Sequence, residues 1–598
     1  MIKVSDYIVK YLENRNVRDI FLLSGGGMMH LLDSVGKSEK INYYCNLNEQ
    51  ATSICADAYG QYNNDLAVCM VTTGPGATNA VTGVAASYLD SVPVLTISGQ
   101  VKTTDLVGDR GVRQIGPQEI NIVEMVKPVT KYAVTITKKE EVKYHLDKAI
   151  YLATNGRKGP VWIDVPLDIQ GAQIDESEFV EFDPIKEGLT EEYIIEENAI
   201  NDLVEMIKVA KRPVFLVGHG VVASKAEKEV KNLVESLGVP ALATWRAKMV
   251  FADDHELYFG HPGSPGPRYS NFILQNSDLL IIVGSRLNVG VTAFNERNFA
   301  PNAKKVIVDI DKYEIDKLDM DFEHKIVCDA KEFIKILANK LKDVKIRNIE
   351  EWISYCRGMK ELYPIVKEEQ VVKSDLTDMY LFGNKLSKYA KSEDSIVTAS
   401  SGRSCGILNL SFERKEGQVE IGSMGLGSMG FALPAAIGAC VASGKKRTIT
   451  LEGDGSLQHN IQELALIDTY KLPIKLFILN NNGYASIVTM QKNHFKGNFV
   501  ACDKETGVNF IPLDKIAELY NMDYYRINKN DEIDSVLNEV MKDDRSVLCE
   551  ILADNTFDEI PKAVTKVNAD GTMSSSKLED LFPFLDEKEI IKAMEISK

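Results

Sequence analysis

Short apolar runs that alternate with helix-like stretches restrict the fold of this chain more than any other feature. In the first third, apolar runs occupy residues 19–23, 41–45, 66–71 and 92–97, and helix-like stretches follow the first three. Uninterrupted apolar strands of this kind are buried on both faces, as in a parallel sheet covered by helices. The pattern therefore predicts an α/β fold in which ligands bind at the carboxyl ends of the strands.

The same alternation occurs twice more along the chain, which predicts three domains. A chain of 598 residues is too long for one hydrophobic core. We expect three doubly wound parallel-sheet domains at residues 1–175, 190–345 and 375–560, followed by a C-terminal tail at 561–598. No sequence repeat relates the three domains, so they share only a fold class.

Charge and cysteine usage exclude several classes of partner. Acidic residues outnumber basic ones by 86 to 69, which gives a formal charge of −17, so the surface should repel nucleic acid at long range. No uncharged stretch is long enough to cross a bilayer. The nine cysteines have neither a C-x-x-C pair nor a zinc-like or disulfide-like spacing. We therefore expect a cytoplasmic protein with reduced thiols, and no nucleic acid or membrane partner.

Two polar segments follow neighbouring predicted strands in the last domain. Gly453-Asp454-Gly455-Ser456 ends one strand and Asn481-Asn482-Gly483 ends the next, with room between them for a helix at about 458–470. Taken singly, each segment is an ordinary turn. Together they bring oxygen ligands of the kind that Mg²⁺ prefers to one sheet edge, and the glycines let a phosphate approach the backbone. The predicted metal ligands are Asp454, Asn481 and Gly483.

Because the two segments occur together at this spacing, the chain resembles the thiamine diphosphate-dependent enzymes, and in particular the superfamily of acetolactate synthase and pyruvate decarboxylase. The similarity covers nearly the full length of the chain. It implies thiamine diphosphate and Mg²⁺ as cofactors, with the diphosphate bound by the third domain. The residues that the resemblance assigns to cofactor binding here are Gly453, Asp454, Gly455, Ser456, Asn481, Gly483, Tyr484 and Ala485.

An acidic residue of the first domain matches the position of the family's catalytic glutamate. Glu49 follows Asn48 in NLNEQATSICADAYG, where helix capping by Asn48 and a favourable helix dipole would already explain a lone glutamate. The resemblance implies instead that the Glu49 carboxyl hydrogen-bonds the aminopyrimidine ring of the cofactor, which then removes the thiazolium proton. Glu49 is therefore the predicted catalytic residue.

Four further residues match cofactor-binding positions of the family. Gly427 and Met429 lie in GSMGLGSMGFALPAAIGA (422–439). The resemblance places Gly427 near the pyrimidine and Met429 in the bend of the V-shaped cofactor, although methionine is also a common core filler. Gly402 and Arg403 have the position that holds the diphosphate in relatives, and Arg403 replaces a neutral or imidazole side chain there.

Three residues match positions near the substrate. Gly26 belongs to a Ser-Gly-Gly-Gly segment that resembles the loop lining the reacting centre, although a proline of the family is Ser24 here. Gln100 ends a segment close to the acetolactate synthase pattern and corresponds to a residue beside the cofactor. Arg286 matches an arginine that meets the carboxylate of the acceptor, or alternatively is a surface residue.

Two positions that carry aromatic side chains in acetolactate synthases are different here. Their A-F-Q-E loop reads Gly116-Pro117-Gln118-Glu119, and Met490 has the position of their later tryptophan. We therefore expect a wider or more polar acceptor site. The segment RQIGPQEINIVEMVKPVTKYAV (113–134) and the C-terminal LEDLFPFL (578–585) resemble a branch associated with surface-polysaccharide biosynthesis, whose members can transfer an acetaldehyde unit from pyruvate to a keto-sugar nucleotide.

The resemblance thus predicts decarboxylation of a small 2-keto acid, with pyruvate as the first choice, and transfer of the acyl-anion equivalent to a carbonyl acceptor. A keto-sugar nucleotide is the acceptor that the resemblance favours. Three alternatives stay open: an acetolactate synthase, a flavin-linked pyruvate oxidase, and a non-catalytic scaffold of the same fold. The intact set of Glu49, Asp454 and Asn481 argues against the scaffold.

FAD binding and subunit arrangement complete the sequence-based expectations. Gly218-His219-Gly220, Gly284-Ser285-Arg286 and Asp309 resemble the flavin-binding middle domain of acetolactate synthases, but a glycine-rich turn after a strand is weak evidence, so FAD stays open. Glu49 and Asp454 belong to different domains that must meet around one cofactor. In relatives they meet between subunits, which implies a homodimer or a homotetramer.

Overall fold

The structure is a computed structural model that contains three parallel-sheet α/β domains in one chain. It describes residues 1–598 except 191–192, 343, 345, 347–348, 367–374, 554–557, 568–570 and 596–598. Each domain has its own sheet of five or six strands, with helices on both faces. The predicted fold class is therefore confirmed.

The first domain contains a six-stranded parallel sheet in the order β3-β2-β4-β5-β7-β6. A two-residue antiparallel pair, β1 with β8, joins the start of the domain to its end. The elements are β1 (Ile2–Lys3), α1 (Val4–Asn14), β2 (Asp19–Leu22), α2 (Met29–Lys37), β3 (Asn42–Cys45), α3 (Glu49–Asn63), β4 (Ala67–Val71), α4 (Pro75–Leu89), β5 (Val94–Gln100), α5 (Ile122–Val126), β6 (Tyr132–Thr135), α6 (Val142–Thr154), β7 (Val161–Pro166), α7 (Leu167–Gly171) and β8 (Gln173–Ile174).

The second domain contains a five-stranded parallel sheet in the order β10-β9-β11-β12-β13. Its apolar runs are fully buried, as in the five residues of β11, because helices cover both faces of the sheet. The elements are α8 (Glu197–Val209), β9 (Pro213–Val217), α9 (His219–Ala223), α10 (Glu227–Leu237), β10 (Ala241–Ala243), α11 (Arg268–Asn276), β11 (Leu279–Val283), β12 (Lys304–Asp309), α12 (Lys312–Asp316), β13 (His324–Val327), α13 (Ala330–Leu341) and α14 (Glu350–Leu362).

The third domain contains a six-stranded parallel sheet in the order β15-β14-β16-β17-β19-β18. Strands β16 and β17 are neighbours near its centre, so the segments that follow them share one edge. The elements are α15 (Met379–Tyr389), β14 (Ser395–Val397), α16 (Arg403–Ser411), β15 (Val419–Ile421), α17 (Ala432–Ala442), β16 (Thr448–Gly453), α18 (Asp454–Leu457), α19 (Leu464–Tyr470), β17 (Ile474–Asn480), α20 (Ala485–Phe495), α21 (Leu513–Leu519), β18 (Asp523–Ile527), α22 (Ile533–Met541) and β19 (Val547–Leu552).

The C-terminal tail returns to the second domain. A short antiparallel pair, β20 (Thr565–Val567) with β21 (Met573–Ser575), precedes the helix α23 (Glu587–Met594). Leu578 and Leu581 are buried in the same apolar cluster as strands β9 and β11. Residues 568–570 and 596–598 of the predicted tail lie outside the described residues. The tail is therefore packed against the second domain over its described part.

One predicted helix is divided in the structure. The sequence suggests a helix at about 458–470, whereas the chain forms α18 directly at Asp454, a 3₁₀ turn at Ile461–Glu463 and then α19. The Asn460 side chain donates to the carbonyl of Gly430, 2.7 Å away. This bond turns the chain towards a neighbouring loop, so the helix does not run through.

Two further features concern the cysteines and the lengths of the helices. All nine cysteines are free thiols, and eight of them are buried or half-buried. Across the described part of the chain, no helix has both the length and the apolar character required to cross a membrane.

Close packing of α3 against α17 joins the first domain to the third. Helix α17 reads ALPAAIGACVA and is buried on nearly all sides, and it shares one apolar cluster with α3. The helices approach so closely that a Cβ on Gly438 would lie 2.2 Å from the carbonyl oxygen of Cys55. The Cys55 thiol also donates to the carbonyl of Pro434, 3.1 Å away. Glycine at 438 is thus required by the interface between the domains.

We predict that Gly438→Ala lowers the midpoint of thermal unfolding by several degrees, because overpacking a buried contact costs about 1–3 kcal/mol. The matched control is Gly36→Ala, in helix α2, where an added Cβ meets no atom within 4 Å. That control should be neutral or slightly stabilising, because alanine has the higher helix propensity. Equal midpoints for the two variants, measured by calorimetry, would contradict the tight interface.

Candidate active site

The carboxyl ends of β16 and β17 form a polar pocket around Asp454. Its Oδ1 accepts from the backbone N–H of Gly455 at 2.8 Å. Its Oδ2 accepts from the N–H groups of Asn481 and Gly483 at 3.2 and 3.3 Å. Burial raises the pKa of the Asp454 carboxyl to about 6, while these backbone donors act in the opposite direction. The loop after β17 is therefore wrapped around one carboxylate.

The pocket also contains an oxygen atom that is buried without a donor. Among the described residues, no hydrogen-bond donor reaches Oδ1 of Asn481. Buried polar atoms are normally satisfied, and an unpartnered oxygen beside a buried carboxylate is one that a bound cation would satisfy. Gly483 has a φ of +154°, and a Cβ there would lie 2.3 Å from the Cys502 carbonyl oxygen, so the loop requires glycine. Asp454, Asn481 and the Gly483 carbonyl fit a magnesium ion.

Two further segments border the pocket. The backbone N–H of Gly430 donates to Ser456 Oγ at 2.8 Å, which ties the loop carrying Gly427 and Met429 to α18. Gly427 has a φ of +69°. Across the sheet edge, Ser404 Oγ would lie 3.6 Å from a Cβ on Gly453, so the first turn of α16 adjoins the end of β16.

The start of α16 is suited to an anion. Gly402 precedes the helix with a φ of +68°, a value that favours glycine. The unpaired backbone N–H groups of the first turn of α16 point outwards from its N-terminal end, where an anion can accept from them. Arg403, the first residue of the helix, is buried and donates to the Thr489 hydroxyl of α20. Its guanidinium also lies 3.9 Å from the Asp558 carboxylate. Arg403 thereby links α16 to α20 and to the chain after β19. Tyr484 and Ala485 lie at the start of α20.

Glu49 lies at the first position of α3, as the sequence indicates. Asn48 caps the helix by accepting from the backbone N–H of Gln50 at 2.8 Å. The Glu49 carboxylate accepts from Asn79 Nδ2 at 3.1 Å, and its Oε1 is 3.3 Å from the place of a Cβ on Gly76. These contacts all belong to the first domain. The hydrogen bonds given above for Glu49 and for Asp454 have no residue in common.

Gln100 and Gly26 lie near each other in the first domain, in different environments. The Gln100 amide is buried, and its nitrogen donates to the Ile120 carbonyl and to Asp164. Its oxygen accepts from the Thr73 hydroxyl at 2.9 Å. Gln100 thereby holds the segment that carries Gln118 against the sheet. Gly26 is exposed. The backbone N–H of the next residue, Gly27, donates to the Thr72 hydroxyl at 3.2 Å.

The second domain has a large cavity at the carboxyl ends of β9, β11 and β12. Its volume is about 740 Å³, and residues of all three domains line it. Arg286 lies in this cavity, where its guanidinium is 3.4 Å from the Leu89 carbonyl. A Cβ on Gly218 would lie 2.2 Å from the Gly284 carbonyl, so the strand ends come together through glycine. Burial raises the pKa of the Asp309 carboxyl at the end of β12 to about 6.

Some residues of this cavity were not recognised from the sequence. Arg246 of the second domain donates to the Gly422 carbonyl of the third domain at 2.5 Å and lies 3.8 Å from the Asp90 carboxylate of the first. One guanidinium therefore contacts all three domains. Arg157 forms ion pairs with Asp311 and Glu314 at the rim. No local motif marks such residues, because their partners lie far away in the sequence.

Three models of known protein families match the chain, one in each of its three domains. The profile of the thiamine pyrophosphate enzyme N-terminal TPP binding domain matches residues 2–125, that of the central domain matches 200–337, and that of the C-terminal TPP binding domain matches 401–551. The chain therefore belongs to the thiamine pyrophosphate enzymes. The resemblance noted from the sequence is confirmed, and the protein is a thiamine diphosphate-dependent enzyme.

Its relatives define the branch of the family. The chain is 33% identical over 565 residues to a probable acetolactate synthase large subunit of Methanocaldococcus jannaschii, which covers 92% of each chain. It is 33% identical over 499 residues to an acetolactate synthase large subunit of Corynebacterium glutamicum, covering 82% of this chain and 77% of that one. The acetolactate synthase isozyme 1 large subunit of Escherichia coli is 29% identical over 537 residues. The chain lies in the acetolactate synthase-like branch.

Proposed function

We propose that the protein is a carboligase that decarboxylates pyruvate and transfers the two-carbon unit to a polar carbonyl acceptor, a keto-sugar nucleotide. The observation that carries the cofactor assignment is the unpartnered Oδ1 of Asn481 beside the buried Asp454 carboxylate. When bound, thiamine diphosphate supplies a nucleophilic carbon that adds to the carbonyl of a 2-keto acid and stabilises the electron pair left by CO₂. The nine free thiols support a cytoplasmic location.

The third domain would hold the metal and the diphosphate. Asp454, Asn481 and the Gly483 carbonyl supply oxygen ligands to Mg²⁺, and the ion neutralises the diphosphate. The N-terminus of α16 at Gly402 directs N–H groups towards the same sheet edge and favours phosphate oxygens. Gly427 and Met429 lie on the loop fixed by Ser456, where a side chain can support the ring system of the cofactor.

In this proposal, Glu49 holds a proton at the ring nitrogen of the aminopyrimidine. Its position in the first turn of α3 and the bond from Asn79 fix the direction of the carboxylate. One oxygen atom of Glu49 lies 3.3 Å from the place of a Cβ on Gly76, and the Thr72 side chain lies 2.6 Å from the same place, so this crowded position beside the carboxylate requires glycine. A carboxylate whose direction is fixed can exchange a proton with a bound ring without reorganisation.

We further propose that two copies complete each site, as a homodimer or a homotetramer. The contacts of Glu49 and of Asp454 lie in different regions of one chain, so a cofactor that reaches both requires a second copy. Leu47, two residues before Glu49, is 53% exposed, and Met29, at the start of α2 in the same domain, is 54% exposed. Apolar side chains of this size are expected to be covered in an assembled enzyme.

The acceptor separates two candidate functions. Acetolactate synthase is the second candidate, and the names of the relatives favour it. The keto-sugar reaction is favoured by the loop at Gly116–Glu119 and by Met490, which leave the acceptor side without two aromatic walls. Met490 is 42% exposed on α20. A wider opening suits an acceptor larger than a second pyruvate.

The second-domain cavity fits a flavin dinucleotide, and we propose that it binds FAD. Its volume of about 740 Å³ is in the range of cofactor pockets, roughly 300–1,000 Å³. Arg246 and Arg286 provide cations for a diphosphate, while the Asp309 carboxylate at a strand end suits a ribose hydroxyl. Gly218 and Gly284 bring the two strand ends into backbone contact at the edge of the cavity, where a side chain on either residue would clash.

Replacement of the proposed catalytic carboxyl tests the reaction directly. We expect Glu49→Gln to lower pyruvate consumption by about 10²–10⁴-fold, because the amide cannot exchange a proton with the ring. The control Glu39→Gln makes the same change at an exposed residue of the first domain. Rates are measured with saturating thiamine diphosphate and Mg²⁺, and folding is checked by circular dichroism. Normal turnover by Glu49→Gln would remove Glu49 from the mechanism.

The metal site is tested by binding rather than by turnover. Asp454→Asn should weaken Mg²⁺-dependent binding of thiamine diphosphate by more than about tenfold, since loss of an outer partner alone costs about 10–100-fold in metal sites. Titration calorimetry measures the affinity with and without Mg²⁺. Asp468→Asn is the control, because Asp468 pairs with Lys471 on the surface of α19. Equal affinities for the two variants would place the ion elsewhere.

Flavin binding has an optical readout. After reconstitution with FAD, the purified protein should show the visible absorption of a flavin, and Asp309→Asn should retain less of it after gel filtration. Asp319→Asn, on the surface beside Arg297, is the matched control. A protein that stays colourless after reconstitution would contradict the assignment of the cavity.

A further inference from the structure

A buried carboxylate in strand β7 of the first domain accepts three hydrogen bonds, all from neutral donors. Asp164 is 1% exposed. Its Oδ1 accepts from the Ser98 hydroxyl at 2.6 Å, and its Oδ2 accepts from Gln100 Nε2 and from the Thr135 hydroxyl, each at 3.0 Å. Burial raises the pKa of Asp164 to about 6, while these donors act in the opposite direction.

The reason for an acid at position 164 lies in its hydrogen-bonding polarity. Taking a charge out of water is costly, and an asparagine of the same size would avoid that cost. A carboxylate, however, only accepts, whereas an amide also carries two donor hydrogens. Asp164 can therefore receive all three donors at once, and it makes the nitrogen end of the Gln100 amide face it.

The Gln100 amide uses all of its hydrogen-bonding positions within the chain. Its nitrogen donates to Asp164 and, at 2.9 Å, to the Ile120 carbonyl. Its oxygen accepts from the Thr73 hydroxyl and from the backbone N–H of Val101, both at 2.9 Å. An amide has two donor hydrogens and two acceptor lone pairs, so a substrate finds no free position on this side chain.

The bond to Ile120 fixes the segment at 116–120 next to the start of α4. The carbonyl oxygen of Gln118 lies 2.5 Å from the place of a Cβ on Gly74, which precedes α4. Two residues further along the chain, the place of a Cβ on Gly76 is 3.3 Å from Glu49 Oε1. The segment therefore borders the turn that leads to the proposed catalytic carboxylate, and the Gln100 amide holds it there.

We propose that Asp164 is a positioning residue for the reaction: it sets the direction of the Gln100 amide, and Gln100 holds the segment at 116–120 beside the reacting centre through the Ile120 carbonyl. The inference rests on the proposed carboligase function. Asp164 acts through Gln100 rather than on the substrate. A reversed amide would put its oxygen atom against the Ile120 carbonyl and release the segment.

Exchanging the two types of side chain tests the direction of the amide. In Gln100→Glu, a second carboxylate faces both Asp164 and the Ile120 carbonyl, so the midpoint of thermal unfolding should fall by several degrees. In Gln100→Glu/Asp164→Asn, the new amide can donate to the new carboxylate and still accept from Ser98, so most of the lost stability should return. The Ile120 carbonyl nevertheless loses its donor, because a carboxylate cannot donate.

Three quantities are measured on the full chain at pH 8, which favours an ionised carboxylate at position 100. They are the midpoint of thermal unfolding by calorimetry, hydrogen exchange of residues 113–121 by mass spectrometry, and pyruvate consumption with saturating thiamine diphosphate and Mg²⁺. The control Gln173→Glu/Asp65→Asn makes the same two changes at exposed positions of the first domain. It should match the wild type in all three.

We expect the double variant to unfold near the wild-type midpoint. Its residues 113–121 should nevertheless exchange at least about tenfold faster, and it should consume pyruvate at least about tenfold more slowly, the effect of leaving one carbonyl without its donor. A pair with only a structural role would recover stability, exchange and turnover together.

The positioning role is overturned if the double variant has wild-type exchange and turnover, or if its midpoint stays as low as that of Gln100→Glu. Hydrogen exchange needs neither cofactor nor substrate, so it tests the fixed segment independently of the reaction. If the loaded wild type consumes no pyruvate, the proposed function fails, whereas the exchange result still decides whether Asp164 and Gln100 hold the segment.

Discussion

The contact between α3 and α17 is the constraint on which the arrangement of the whole chain depends. Glycine at 438 lets the two helices approach to backbone contact, and one apolar cluster then extends from the first sheet to the third. The buried Glu463 carboxylate accepts from Asn46 and from the backbone of Leu47, just before α3. Glu49 therefore starts a helix whose position is fixed by the third domain, although its own contacts are in the first.

The alternation of apolar runs with helix-like stretches was sufficient to predict the fold class, because the central buried strands are continuous apolar runs. Runs such as LLIIV and IKLFIL can only be central strands of a covered sheet, and the glycines and polar residues after them mark the functional edge. Edge strands such as β6, β13 and β18 were missed. They are partly exposed and mixed in composition, so their pattern does not differ from that of a loop.

Some residues of the candidate site are marked by a local sequence motif, whereas others depend on partners that lie far away in the sequence. Asp454 and Asn481 could be predicted because a ligand loop needs particular residues at a fixed spacing along the chain. Arg246 could not, and neither could Glu559, which accepts from the backbone N–H of Gly406, since the partners of both lie more than a hundred residues away in the sequence. The break in the helix after Asp454 has a similar cause. Its reason is a hydrogen bond from Asn460 to a loop that sequence reasoning had assigned to cofactor binding.

The segment after β19 connects two cavities by a single peptide bond. Lys562 lines a cavity of about 410 Å³ beside α20, and the N–H of the next residue, Ala563, donates to Ser264 at the edge of the second-domain cavity. Insertion or deletion of one residue here would displace the walls of both cavities together. The number of residues in this stretch is thus set by the spacing between two domains.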